Sequence, residues 1–399
     1  MQYPKILLPL LLSIFALECF SQEAAKPFSF KKFTLDNGLK VILHQDRSTP
    51  IAAVSVTYHV GSKNEQPNRS GFAHFFEHLM FEGSENIEPG EFFEYVQNAG
   101  GQTNAYTTFD ETVYYEVLPS NQLELGLWLE SERMLHAEID SIGVETQRDV
   151  VVEERKQRLE NRPYGSIKEE TFSVAFDEHP YQWTPIGHQQ YIDKAKIKEF
   201  RKFYETYYVP NNAILSIAGD IDISKTKKLV EQYFGDIPRG TMDMRRPEVE
   251  EPPQKGEKSD TVRDNIQLPA IVEAYHIPAQ GTEDYYPIKM LTTLLSEGKS
   301  SSLQQTLVDE QQKAMEVFSY PFFLEDPGLF IFFAIANQGG EVKNLKNTLN
   351  KEIKKVQNEL ISKKAFQKLQ NQVEANFYSK NTKVKDIAIN LAWYELFLG

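Results

Sequence analysis

Residues 71–83, Gly-Phe-Ala-His-Phe-Phe-Glu-His-Leu-Met-Phe-Glu-Gly, limit more than any other stretch what this chain can become. Read as a helix rich in Phe, Leu and Met, the segment puts His74 and His78 one turn apart on one face with Glu77 beside them. Two imidazoles at that spacing can share a zinc ion, and a carboxylate between them can reach a water at the metal's open position. The same string also reads as a helix with two structurally satisfied histidines. A hydrolytic zinc needs a third protein ligand. With one cysteine in 399 residues, thiolate cages and disulfides are both excluded, so that ligand must be His, Asp or Glu. Arg148 to Arg155 offers Glu153 and Glu154 as neighbours in a predicted helix. Taken alone, the pair reads as a solvated acidic patch.

The length predicts two or three domains, and 41% hydrophobic residues exclude disorder and coiled coil. Forty-three basic against 57 acidic residues leave a net charge of −14, which argues against nucleic acid as a partner. At the N-terminus, Lys5 precedes an apolar stretch, Ile6 to Leu17, too short to span a bilayer. Residues 1–21 therefore read as a signal peptide, with a mature start near Gln22 and export to the periplasm expected. Lipid anchoring through Cys19 is the second reading, although Glu18 is a poor residue to precede it. No later run is apolar enough for a membrane helix.

Residues 30–45 predict two strands around Asn37-Gly38, and 51–60 a third. Helices are expected over 121–136 and 144–160, and a buried strand over 213–219. The Pro- and charge-rich stretch that follows reads as a linker, 241–263, between units at 27–240 and 264–399. Thr57-Tyr58-His59-Val60 is echoed by Ala274-Tyr275-His276-Ile277, and Leu79 to Gly83 by Leu294 to Gly298. The order of the echoes favours duplication of an α+β unit. The second copy has Lys289, Thr292 and Thr293 opposite His74, Glu77 and His78, so it has no metal chemistry. His44 and His59 read as structural, the Phe runs at 322–323 and 330–333 as core strands, and 343–368 as one amphipathic helix.

His-x-x-Glu-His reverses the common zincin order. With it the chain resembles the pitrilysin/insulinase family of metallopeptidases, close to its bacterial and mitochondrial-processing branch. The resemblance runs from about Phe30 to the C-terminus. It is carried by Leu35 to Leu39, Gly71 to Gly83, Asn104 to Thr107, Arg148 to Glu154, Asn161 to Gly165, His179 to Tyr181, Ile186-Gly187 and Tyr208 to Asn212.

The resemblance implies that His74 and His78 are zinc ligands and Glu77 the catalytic carboxylate. The intervals from the second histidine and from Arg148 both select Glu154 over Glu153 as third ligand, with one zinc per chain. Gln147 stands near where relatives often carry a glutamate that orients the site. An amide brings no charge, so metal affinity can differ. Gly101 to Thr107, with Asn104, Ala105 and Tyr106, is expected to be a sheet edge that an extended peptide joins as a strand. An ordinary polar strand after a Gly-Gly turn is the alternative.

The implied fold is α+β: two related units of the processing-peptidase-like metalloenzyme architecture, each a mostly antiparallel sheet with helices on one face, closing as a clamshell around a chamber. The expected function is zinc-dependent hydrolysis of peptides or unfolded polypeptides in the cell envelope. A zinc-binding structural or assembly subunit with little activity is the alternative. Relatives carry an Arg and, seven residues later, a Tyr in the non-metal half, where Val308 and Met315 stand here. A related non-metal subunit supplying that pair is therefore the expected partner, with a homodimer as the alternative. The apolar ending Leu396 to Gly399 raises the expectation that the second unit continues beyond this sequence.

Overall fold

The computed structural model describes residues 28–399. The expected signal peptide, and Cys19 with it, lie outside the described residues.

Six strands form the first sheet: β1 (Lys31–Thr34), β2 (Lys40–Gln45), β3 (Ile51–Tyr58), β4 (Gln102–Thr107), β5 (Thr112–Pro119) and β6 (Ala213–Gly219). Their order is β1-β2-β6-β3-β5-β4, antiparallel throughout except for the β2–β6 pair. Helices α1 (Phe72–Leu79), α2 (Glu91–Asn98), α3 (Leu123–His136), α4 (Ser141–Arg155), α5 (Ile167–Ala175), α6 (Gln189–Lys194), α7 (Ile197–Tyr207) and α8 (Ile223–Phe234) complete this part of the chain. Val41, Leu43, Val54, Val56 and Leu215 pack against Phe72, Phe75, Phe76, Phe200 and Phe234 to make the main core.

No helix or strand occurs between α8 and β7 (Ala270–Ile277). The second sheet joins β7 to β8 (Ala314–Phe322) and β9 (Gly328–Ala336) in the order β7-β9-β8. Helices α9 (Tyr285–Ser296) and α10 (Val342–Asn358) supply Leu295, Leu345 and Leu349 to its core. Helices α11 (Lys363–Lys380) and α12 (Val384–Phe397) follow. The stretch expected to form one amphipathic helix is thus divided. Helix α10 ends at Asn358, and Ser362 caps α11 by accepting the Ala365 N–H at 3.2 Å.

The mostly antiparallel sheets with helices on a face are as the sequence implied, and the second face of each sheet is covered as well. Strands β2, β3 and β6 are continuous apolar runs, as strands buried on both sides must be. Ile42, Ala53, Ile214 and Ala218 meet Ile387, Ala388 and Leu391 of α12. Reciprocally, Phe172 and Phe176, at the end of α5, meet Leu329 and Ile331 of β9. Each part lends a helix to the other.

Candidate metal centre

The helix that carries the histidine pair is fixed at its start by groups distant in sequence. Gly71 sits at φ 98°, a left-handed conformation suited to glycine. The buried Glu65 carboxylate accepts the N–H groups of Gly71 at 2.9 Å and Ala73 at 2.8 Å, satisfying donors that the helix cannot. Burial nevertheless pushes the Glu65 pKa well up, against those same hydrogen bonds. Gly187 packs so closely on this corner that a Cβ there would lie 2.2 Å from the Gly71 nitrogen. The other face of α1 is locked by Phe72, Phe75 and Phe76. His74 is buried, and Glu77 and His78 are half-buried beside it.

Helix α4 brings the third group. One oxygen of Glu154, Oε2, lies 3.3 Å from His74 Nε2 and 3.0 Å from His78 Nε2. The three atoms converge without hydrogen-bond alignment: Glu154 Oε2 is buried with no proper partner, as is His74 Nδ1. Two ligands about 2.0–2.1 Å from a tetrahedral zinc lie about 3.3–3.4 Å apart, close to these separations. Two neutral nitrogens and a carboxylate are also the donor set zinc takes, so the residues fit the ion. Burial would push the Glu154 pKa up, but the two imidazoles hold its carboxyl far below the usual carboxylate range.

Glu77 is near but not central. Its carboxylate and the two imidazoles lie within 4.8 Å of one another, whereas Glu154 makes the shorter contacts. The neighbouring Glu153 is turned away, accepting from Gln157 Nε2 at 3.2 Å on the solvent side.

Gln147 donates to the Glu82 carboxylate rather than to a histidine or Glu154, and its own Oε1 is buried without a partner. Strand β4 is at the sheet edge, bonded to β5 alone, and α1 packs against it. Asn104 is exposed, and Ala105 and Tyr106 are half-buried. Asn104 Oδ1 holds the Ala105 N–H at 2.8 Å. In the second unit, Val308 packs in the core and Met315 is exposed on β8. Neither offers a side-chain donor.

Two features of the centre escaped sequence reasoning. Arg158 forms an ion pair with Glu154 Oε1 at 2.8 Å, in a π-helical turn (Lys156–Glu160) that continues α4. The i,i+4 spacing could have revealed that pair. For Glu65 no local signal exists, since its role comes from a loop folding back on a helix. The remaining histidines have other partners among the described residues: His44 with the Ser29 carbonyl, His59 with Glu325, His136 with Glu85, His179 with Asp326, His188 with Glu169 and His276 with the Ala175 carbonyl.

The chain is similar to several known proteins. Residues 40–184 match the family described as Insulinase (Peptidase family M16), and residues 194–373 that described as Peptidase M16 inactive domain. The zinc protease PqqE of Helicobacter pylori is 34% identical over 89% of this chain and 81% of its own length. The crystal structure of a protease from Helicobacter pylori superposes with a TM-score of 0.89 at 33% identity, covering 93% of this chain and 90% of that one. The periplasmic protease PqqL from Escherichia coli shares the fold, with a TM-score of 0.72 and 21% identity over 92% of this chain but 42% of its own.

Proposed function

Given that this chain belongs to the insulinase family, peptidase family M16, and is a zinc metallopeptidase, we propose that it is an endopeptidase cutting peptides or unfolded polypeptides in the cell envelope. We propose further that it is the catalytic subunit of a two-chain enzyme. The observation that carries the site assignment is the convergence of His74, His78 and Glu154 on one point with Glu77 alongside. In this reading those three hold one zinc per chain.

The metal, when bound, supplies a Lewis acid that polarises the peptide carbonyl and makes water acidic enough to attack at neutral pH. Glu77 takes the water's proton and passes it to the leaving amine. His74 and His78 keep Glu154 ionised against its burial, and Arg158 holds its other oxygen in place. The free edge of β4 receives the substrate as an added strand, so main-chain bonds give affinity without strong sequence selection. The envelope location is supported by the signal-like residues 1–21 and by the periplasmic relative PqqL.

The partner rests on a missing function. Acyl-transfer sites aim donors at the oxyanion, and losing one costs about 100- to 1000-fold in rate. Val308 and Met315 provide none. A related chain carrying an Arg and a Tyr would complete the site, and PqqL, of which this chain matches less than half, is an example of two such lengths in one polypeptide.

The test is peptide cleavage by the zinc-loaded chain, alone and with its genomic neighbour's product, beside Glu77→Gln. We expect weak activity alone, a large gain with the partner, and at least a 100-fold loss in Glu77→Gln at unchanged zinc content. Turnover by a zinc-loaded Glu77→Gln variant would remove the base, and full activity from a purified monomer would remove the second chain.

A further inference from the structure

A cavity of about 580 Å³ lies between the two sheets, where the C-terminal end of β4 meets α9, α11 and α12. Its wall carries three lysines, Lys168 of α5, Lys289 of α9 and Lys380 of α11, among aromatic side chains such as Tyr285 and Trp393. The Lys168 ammonium lies 4.9 Å from the Phe109 ring and 5.3 Å from the Phe322 ring. Lys168 is exposed to solvent at the cavity wall. Loss of hydration to the nearby protein atoms brings its pKa down to about 8, so it is still largely charged at pH 7, and no carboxylate acts on it.

The acids nearby leave Lys168 without a carboxylate partner. Glu111 is buried with Oε2 unpartnered, and burial together with the charge of Asp110 pushes its pKa up to about 8, so it is largely neutral at pH 7. Asp110 is engaged by Lys63 at 3.2 Å and by the Tyr181 hydroxyl at 2.7 Å. Glu297 accepts from Thr293 and Asn376, and its charge acts on Lys289 rather than on Lys168. In a chain of net charge −14, this cavity is locally positive and aromatic. Such a lining suits an anion on an apolar body.

The cavity begins at Tyr106 and Thr107, the last residues of the edge strand proposed to receive substrate. We infer that it is a specificity pocket for a carboxylate of the bound peptide, either an Asp or Glu side chain or a free C-terminus, within a few residues of the cleaved bond, with Lys168 as its principal cation. This rests on the reading of β4 as the substrate edge. Lys168 then has a role that neither the metal nor the β-strand contacts supply: it makes a permissive edge selective.

The inference is tested by binding, without turnover. Labelled peptides are titrated with the full zinc-loaded chain carrying Glu77→Gln. The peptides have Asp or Asn scanned along their length, and each is made with a free and an amidated C-terminus. One acidic peptide should bind about 10-fold more tightly than its neutral analogue, the worth of one hydrogen bond to a charged group. The position of that carboxylate separates a side chain from a C-terminus. Lys168→Met should bring the acidic-to-neutral ratio towards one, and Lys168→Arg should keep most of it. Lys289→Met, in the α9 part of the wall, should reduce it partially. An equal ratio in the parent, or a ratio that survives Lys168→Met, overturns the pocket. Ala105→Pro, which removes a β4 N–H, should weaken acidic and neutral peptides alike. If it weakens neither while the ratio persists, the edge reading fails and the pocket stands.

Discussion

Neighbouring residues on a helix point about 100° apart, so two adjacent glutamates cannot serve one point in space. Glu154 faces the histidines, and Glu153 faces Gln157 and solvent. Glu154→Gln should therefore lose most of the bound zinc, whereas Glu153→Gln should keep it, as read by elemental analysis of purified protein. Metal loss in the Glu153 variant alone would mean the helix register is wrong. His74, Glu77 and His78 were legible because a one-turn spacing is a local property. Glu154 was legible only through resemblance, since nothing local distinguishes it from Glu153. The expected role of Gln147 was only half legible. Sequence placed the amide near the site, but its partner, Glu82, is chosen by the packing of α4 on α1.

At the scale of elements, the turn between β8 and β9 acts as a peg. Glu325 and Asp326 enter a socket on the first part of the chain, where Lys63 Nζ lies 2.5 Å from Glu325 and 3.0 Å from Asp326, with His59 and His179 adjoining. Burial alone would push the Glu325 pKa up, but the bond from His59 and the charge of Lys63 bring it down to about 2. A carboxyl whose folded pKa lies below its unfolded value stabilises the protein above that unfolded value, about 4.3. The contribution is lost as pH falls from there towards 2. In urea unfolding, Glu325→Gln should be destabilised at pH 7, and the gap to the parent should narrow at pH 3. Lys63→Met should cost about 3 kcal/mol or more at pH 7, because it leaves the buried Asp110 without its cation. A constant gap for Glu325→Gln across that range would show that the peg is held by packing alone. Sequence reasoning found both strands flanking the turn but not this contact. Charge pairs between distant loops leave no periodic trace, whereas the break before Ser362 had a capping signal that the continuing apolar period obscured.

For the whole molecule, the division of the chain into consecutive units describes its sheets better than its packing. The apolar runs of β2, β3 and β6 already implied cover on two faces, but nothing in them says that α12 provides it. Ile387→Ala should cost about 2–5 kcal/mol, even though it lies in α12 and most of what it supports is the first sheet. With Trp393→Phe as background, Trp128 and Trp183 fluorescence should report that loss directly. A cost below about 0.5 kcal/mol, typical of a surface site, would mean that α12 is a bystander.

The exchange of helices also sets an order of events. While the chain is being made, Ile42, Ala53, Ile214 and Ala218 have no cover until α12 has emerged. Contacts between segments so far apart in sequence carry a large loop-closure cost and form late. The first sheet therefore spends its early life as a sticky intermediate. Whatever escorts this polypeptide must hold an unfinished sheet until α12 has been made.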